Sequence, residues 1–175
     1  MSTIYDHINR IAKITWQRPV VIVMSALLLG LAVVVTACGG QDTPVKATWI
    51  EPQISGDTIT ILEDDVNNSK IVHFRVPVAL GGEMTFMAYN NGGKLTVRAN
   101  VCPPCRSIGF SLSKNTLICD TCQTTFNAKT GEGISGACVA YPKASVRHSI
   151  SDGRIVMTGS DLLIAYQNTI QRDWP

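Results

Sequence analysis

At 175 residues, with 45% hydrophobic and 16% charged side chains and a formal net charge of +2, the chain has room for one domain plus an anchor. From Cys38 onward twelve basic residues balance twelve acidic ones, which leaves no strong field for DNA, RNA or anionic lipid. Nor does a basic stripe with interleaved aromatics mark a nucleic-acid surface.

The first element is apolar. Residues Val20 to Ala37 carry only Ser25, Gly30 and Thr36 as interruptions, a length at the lower limit for a membrane-spanning helix. Arg10, Lys13 and Arg18 precede it against the single acid Asp6, which keeps the N-terminus in the cytoplasm and sends the remainder outward. The run ends in Val35-Thr36-Ala37-Cys38-Gly39, which resembles a bacterial lipobox with Cys38 as the lipidated residue. The alternatives are a cleaved lipoprotein signal and an uncleaved transmembrane helix. Either places the rest at the outer face of the cell membrane. The expected organisation is therefore a signal or anchor over 1–37, a tether over 38–46 and an extracytoplasmic β-domain over 47–175.

Beyond the tether the pattern has period two. Asp57 to Leu62 alternates, Glu63 to Lys70 reads as an acidic, Asn-rich turn, and Ile71 to Val76 and Met84 to Tyr89 read as strands. Asn90-Asn91-Gly92-Gly93 is a hairpin signal, because Asn and Gly accept the positive φ of tight turns. Lys94 to Ala99 is the return strand. Later, Ser151-Asp152-Gly153 joins Ser145–Ile150 to Arg154–Thr158, and Ser160 to Gln171 reads as a terminal helix capped by Ser160 or Asp161. Short strands between Gly-rich turns predict a mainly β fold, a small antiparallel sandwich or open barrel.

The chemistry sits in the cysteines. Cys102-Pro103-Pro104-Cys105 is followed, thirteen residues later, by Cys119-Asp120-Thr121-Cys122. Two residues between thiols let both sulfurs of a pair face one ion, and two such loops supply four thiolates in a tetrahedral array. The intervening hairpin is expected to turn at Ser113-Lys114-Asn115. Five cysteines remain once Cys38 is assigned to the anchor, and an odd number cannot all pair within one chain. A CxxC disulfide closes too small a ring to gain much loop entropy. Haem attachment needs His after the second Cys, where Arg106 and Gln123 stand instead. Zinc and iron–sulfur centres both accept four thiolates. Zinc-ribbon knuckles usually place Gly soon after the second Cys, and neither loop has it. No Ser-His-Asp set, phosphate-binding glycine loop or spaced carboxylate pair supports bond-making catalysis, and His73 and His148 read as structural or solvated.

After the second pair, Phe126, Thr130-Gly131, Gly136-Ala137-Cys138 and Tyr141-Pro142 resemble the second cluster loop of Rieske proteins. The ligand spacing and the missing His residues exclude a Rieske centre proper, leaving a Rieske-like scaffold with all-cysteine ligation. The closer similarity, from about Asp65 to Pro142, is to the FtrD-like membrane iron–sulfur family. It rests on Cys102/Cys105, Gly109-Phe110, Leu117-Ile118-Cys119-Asp120-Thr121-Cys122, Phe126, and Gly136-Ala137-Cys138 with Pro142. That resemblance implies a metal site over 102–142 with Cys102, Cys105, Cys119 and Cys122 as ligands. It also implies an iron–sulfur cluster or iron, and a place beside a metal permease or redox partner in iron transport. Zinc in the same site, in a non-redox binding module, is the alternative, and a dithiol/disulfide redox protein is a third. Cys138 is left as an extra ligand, a small buried hydrophobe or a protecting thiol.

Overall fold

The computed structural model describes residues 43–79 and 81–171. The expectations for Val20 to Ala37 and for Cys38 lie outside the described residues. Among the described residues, no helix is long and apolar enough to cross a membrane.

In chain order the elements are β1 (Val45–Lys46), β2 (Thr48–Trp49), β3 (Gln53–Ser55), β4 (Thr58–Leu62), α1 (Glu63–Ser69), β5 (Ile71–Pro77), β6 (Glu83–Asn91) and β7 (Lys94–Ala99). They continue as β8 (Phe110–Ser113), β9 (Thr116–Cys119), β10 (Thr125–Asn127), β11 (Gly133–Ser135), β12 (Ser149–Ser151), β13 (Arg154–Thr158) and α2 (Gly159–Ile170). Three sheets result, with strand orders β1-β8-β9-β10-β11, β12-β13-β4-β3 and β2-β5-β6-β7. Every pairing is antiparallel except β2 beside β5. The fold is mainly β, as the alternation predicts.

The β2-β5-β6-β7 sheet lies between two cores. Val72, Phe74, Phe86, Ala88, Val97 and Ala99 face the β4/β13 sheet and pack with Ile59, Ile61, Ile155, Met157 and Leu162. Ile71, Met87 and Tyr89 face the other way and pack with Cys102, Phe110, Leu117, Cys119, Phe126 and Cys138. Successive side chains of a strand point to opposite faces, so both phases of these strands are covered. That explains why β5, β6 and β7 are almost continuously buried although they carry His73, Thr85, Thr96 and Arg98. The sandwich therefore has three layers, and the cysteine sheet is one outer layer.

Turn chemistry places the hairpins where the sequence marks them. Gly92 and Gly93 both adopt positive φ, 64° and 88°, between Asn91 and Lys94, which pair in register. The Gly93 N–H donates to Asn90 Oδ1 at 2.8 Å. Two expectations fail. Residues Glu63 to Ser69 form α1 instead of a turn: three acids in the first turn complement the helix N-terminus, and Val66 is fully buried. A single apolar residue leaves no periodicity to read. The cap of α2 is Thr158, whose Oγ1 accepts the Asp161 N–H at 3.1 Å, and not Ser160 or Asp161. In the segment expected to be a tether, Val45–Lys46 pairs with Leu112 and Ser111.

His73 shows how the middle layer responds to acid. It is buried edge-to-face against Trp49, with Nε2 unpartnered. Burial lowers its pKa to about 4, although Asp120 and the Phe110 backbone pull the other way. An unfolded chain takes up this proton near pH 6.5, while the folded one resists it down to about 4. Stability is thus lost as pH falls through that window, by about 2 kcal/mol between pH 7 and pH 5. Urea unfolding across that range measures it, and His73→Phe should flatten the slope. An unchanged slope would assign the acid sensitivity elsewhere.

Candidate metal centre

Two backbone knuckles present the cysteines. In the first, the Cys102 N–H donates to Ser107 O at 2.8 Å; in the second, the Cys119 N–H donates to Thr124 O at 2.9 Å. The residue after the second cysteine takes a left-handed conformation in both, Arg106 at φ 57° and Gln123 at φ 58°. The glycine usual at this position is missing, but the knuckle conformation forms regardless, at a cost of roughly 1 kcal/mol per residue. Absence of glycine is therefore no argument against a knuckle here. Between them, β8 and β9 pair from Phe110↔Cys119 to Ser113↔Thr116, which puts the turn at Lys114-Asn115.

A third segment closes the site. Gly136 has φ 115°, and a Cβ there would meet Thr124 at 2.6–2.9 Å, so only glycine lets this loop lie against the second knuckle. The Cys138 N–H then donates to Thr124 Oγ1 at 3.2 Å, and Cys122 Sγ lies 3.2 Å from the same hydroxyl.

All five thiols meet. The sulfurs of Cys102, Cys105, Cys122 and Cys138 lie within 4.8 Å of one another. Cys119 joins them 3.7 Å from Cys105, and Cys122 and Cys138 are also 3.7 Å apart. These separations far exceed the roughly 2.05 Å of a disulfide. A tetrahedral ion with thiolate bonds near 2.3 Å needs sulfur–sulfur edges of about 3.8 Å. The donor set therefore fits a thiolate-held metal. Cys102, Cys119 and Cys138 are buried, while Cys105 and Cys122 are half-buried.

The thiols differ electrostatically. Burial pushes Cys102 well up, helped by protons shared with Cys105 and Cys138. Burial also raises Cys119. At Cys122 burial works upward as well, but hydrogen bonds from the Thr124 hydroxyl and backbone, Cys119 and Cys105 overcome it and hold the thiol at about 6. Cys122 is thus ready to ionise near neutral pH.

Against the core that holds the cysteines lies Lys143, fully buried. Its ammonium donates to Val101 O at 2.8 Å and stands over the rings of Phe126 and Phe110, at 4.5 and 5.4 Å. Arg98, on β7, fixes the loop that carries it. Its guanidinium donates to Lys143 O and Lys129 O, both at 2.7 Å, and to the Tyr89 hydroxyl at 2.8 Å. Tyr89 in turn donates to Ala128 O at 2.6 Å.

The sequence matches the family model described as "Membrane iron-sulfur containing protein FtrD-like" over residues 66–168. The chain belongs to this FtrD-like family. Among curated proteins none matches. Of solved structures, a chain of the "Complex of reduced oxygenase and oxidized ferredoxin in carbazole 1,9a-dioxygenase" is similar at 18% identity and a TM-score of 0.49. That similarity covers 60% of this chain and 95% of that one. A Sphingomonas yanoikuyae B1 ferredoxin is similar at 20% identity and a TM-score of 0.40, over 48% of this chain and 83% of that one.

Three residues of the FtrD-like site escape sequence reasoning. Arg98 sits in the return strand Lys94 to Ala99, where nothing in the sequence singles it out. Thr124 and Lys143 lie in loops with no motif of their own, and only their nearness in sequence to Cys122 and Cys138 hints at a role.

Proposed function

We propose that this FtrD-like protein is an electron-transfer or metal-handling protein. In this reading it is held at the outer face of a cell membrane by its N-terminal segment and serves iron transport through a permease or redox partner. The convergence of five thiols from three segments carries the reading, together with family membership. An iron–sulfur cluster or iron, when bound, supplies reversible electron storage.

The chain supplies the ligands and their surroundings. Cys102, Cys105 and Cys122 belong both to the set implied by the CxxC spacing and to the tight quartet. The fourth position has two claimants, Cys119 from its knuckle and Cys138 from the third loop, and we assign it to either. The buried cysteines keep water from the inner side, while half-buried Cys105 and Cys122 give a partner protein access. Outer-face tethering rests on the basic residues before the run Val20 to Ala37, and anchoring on that run or on a lipid at Cys38.

The test is anaerobic purification with metal analysis and visible absorption. Iron with charge-transfer bands is the expected result. A colourless protein with zinc would overturn the iron reading and establish the structural-zinc module, a reading favoured by one observation: the quartet is tight enough for a single tetrahedral ion.

A further inference from the structure

Lysine is almost never fully buried, and an ammonium without compensating negative charge costs free energy in a protein interior. Lys143 pays that cost beside the thiols. Its side chain is fully buried, with one carbonyl and two ring faces around it, and both rings belong to the core that holds Cys102, Cys119 and Cys138. Burial lowers its pKa, and the groups that counter this are Cys102, Cys119, Cys138 and Cys105. For packing between Phe110 and Phe126 alone, a methionine would serve as well. The backbone is held in place as well: the Lys143 N–H donates to Gly131 O at 2.8 Å while Arg98 holds its carbonyl.

We infer that Lys143 is the built-in counter-charge of the thiol site, a positioning residue whose ammonium favours the ionised, metal-loaded form over the protonated, metal-free form. This rests on the proposed metal reading. Four thiolates around a divalent ion leave the site with two net negative charges, and the protons of the thiols not yet ionised go to solvent. A cation fixed in the thiol-bearing core offsets part of that charge; in the metal-free state, with most of the thiols protonated, the same cation is a burden. The prediction is thus a pair of effects opposite in sign, a combination that a purely structural lysine would not give.

The test uses the full chain, metal-free and reduced, titrated anaerobically with cobalt(II) against a competing chelator. Lys143→Met should bind cobalt at least tenfold more weakly, while its metal-free melting temperature holds or rises. Lys143→Gln, which keeps a donor for Val101 O but no charge, should show the same loss of affinity. In iron-loaded protein both variants should have a more negative midpoint potential, because reduction adds negative charge. Cobalt affinity within twofold of wild type in both variants would overturn the inference alone. A loss of affinity that merely tracks a fall in metal-free stability would overturn it too, in favour of a structural role. Wild-type protein that takes up no cobalt would bring down the metal reading and this inference with it.

Discussion

Replacing Cys122 by serine is expected to strip the protein of its metal, with affinity falling by more than about a hundredfold, beyond the range seen when supporting residues around a metal are changed. Cys122 has the most to lose. Its sulfur lies 3.7 Å from that of Cys138, and it shares hydrogen bonds with Cys119 and Cys105. It is also the thiol held down to about 6, so it enters a metal complex at neutral pH without a large deprotonation cost. Serine keeps the shape and the Thr124 contact but does not ionise in this range. Cys119→Ser and Cys138→Ser should behave differently. Each leaves Cys102, Cys105 and Cys122 together with one claimant to the fourth position and should keep most of the metal, while the double substitution leaves those three alone and should lose it. Metal content per folded chain, measured after desalting, decides the matter. Full retention in Cys122→Ser would remove that residue from the site, and complete loss in Cys119→Ser alone would make the fourth position exclusive.

Arg98→Met should cost about 4 kcal/mol of stability, the sum expected when three hydrogen bonds from one buried charged donor are removed and their acceptors orphaned. The acceptors are Lys143 O, Lys129 O and the Tyr89 hydroxyl, so the guanidinium joins the middle sheet to the segments that follow β10 and β11. Arg98→Lys should recover little, because an ammonium has no planar fork to reach three acceptors at once. Gly131 makes the same point from the other side: a Cβ there would lie 2.2 Å from Lys143 O and 2.5 Å from Arg98 Nη1. Urea unfolding of the metal-free, reduced protein measures the loss. A change below about 1 kcal/mol would mean that water replaces the guanidinium at those carbonyls.

The two CxxC loops, their connecting hairpin and the Gly92-Gly93 turn were legible because each is local. Two residues between thiols, or two glycines between strands, determine a backbone path without reference to the rest of the chain. What alternation could not reveal is which face of a strand meets solvent. Lys94-Leu95-Thr96-Val97-Arg98-Ala99 alternates polar and apolar residues, but its polar Thr96 and Arg98 are buried as well. Helix α1 was missed for a related reason, since its hold on the core is Val66 alone. Cys138 was legible as a thiol of interest, but its place in the ring depends on Gly136 letting the loop lie against Thr124, a contact visible only in three dimensions.

Strand β1 has a mechanical consequence. It is the point where the chain's N-terminal side enters the domain, and it pairs with β8, whose first residue pairs with Cys119. Tension arriving from that side meets this two-residue clasp before it reaches β2 and the layers built on Phe74 and Phe86. The hairpin that carries Cys119 is thus loaded ahead of the larger core. A pull on the N-terminal side would disturb the sulfur geometry first and leave the bulk of the domain folded.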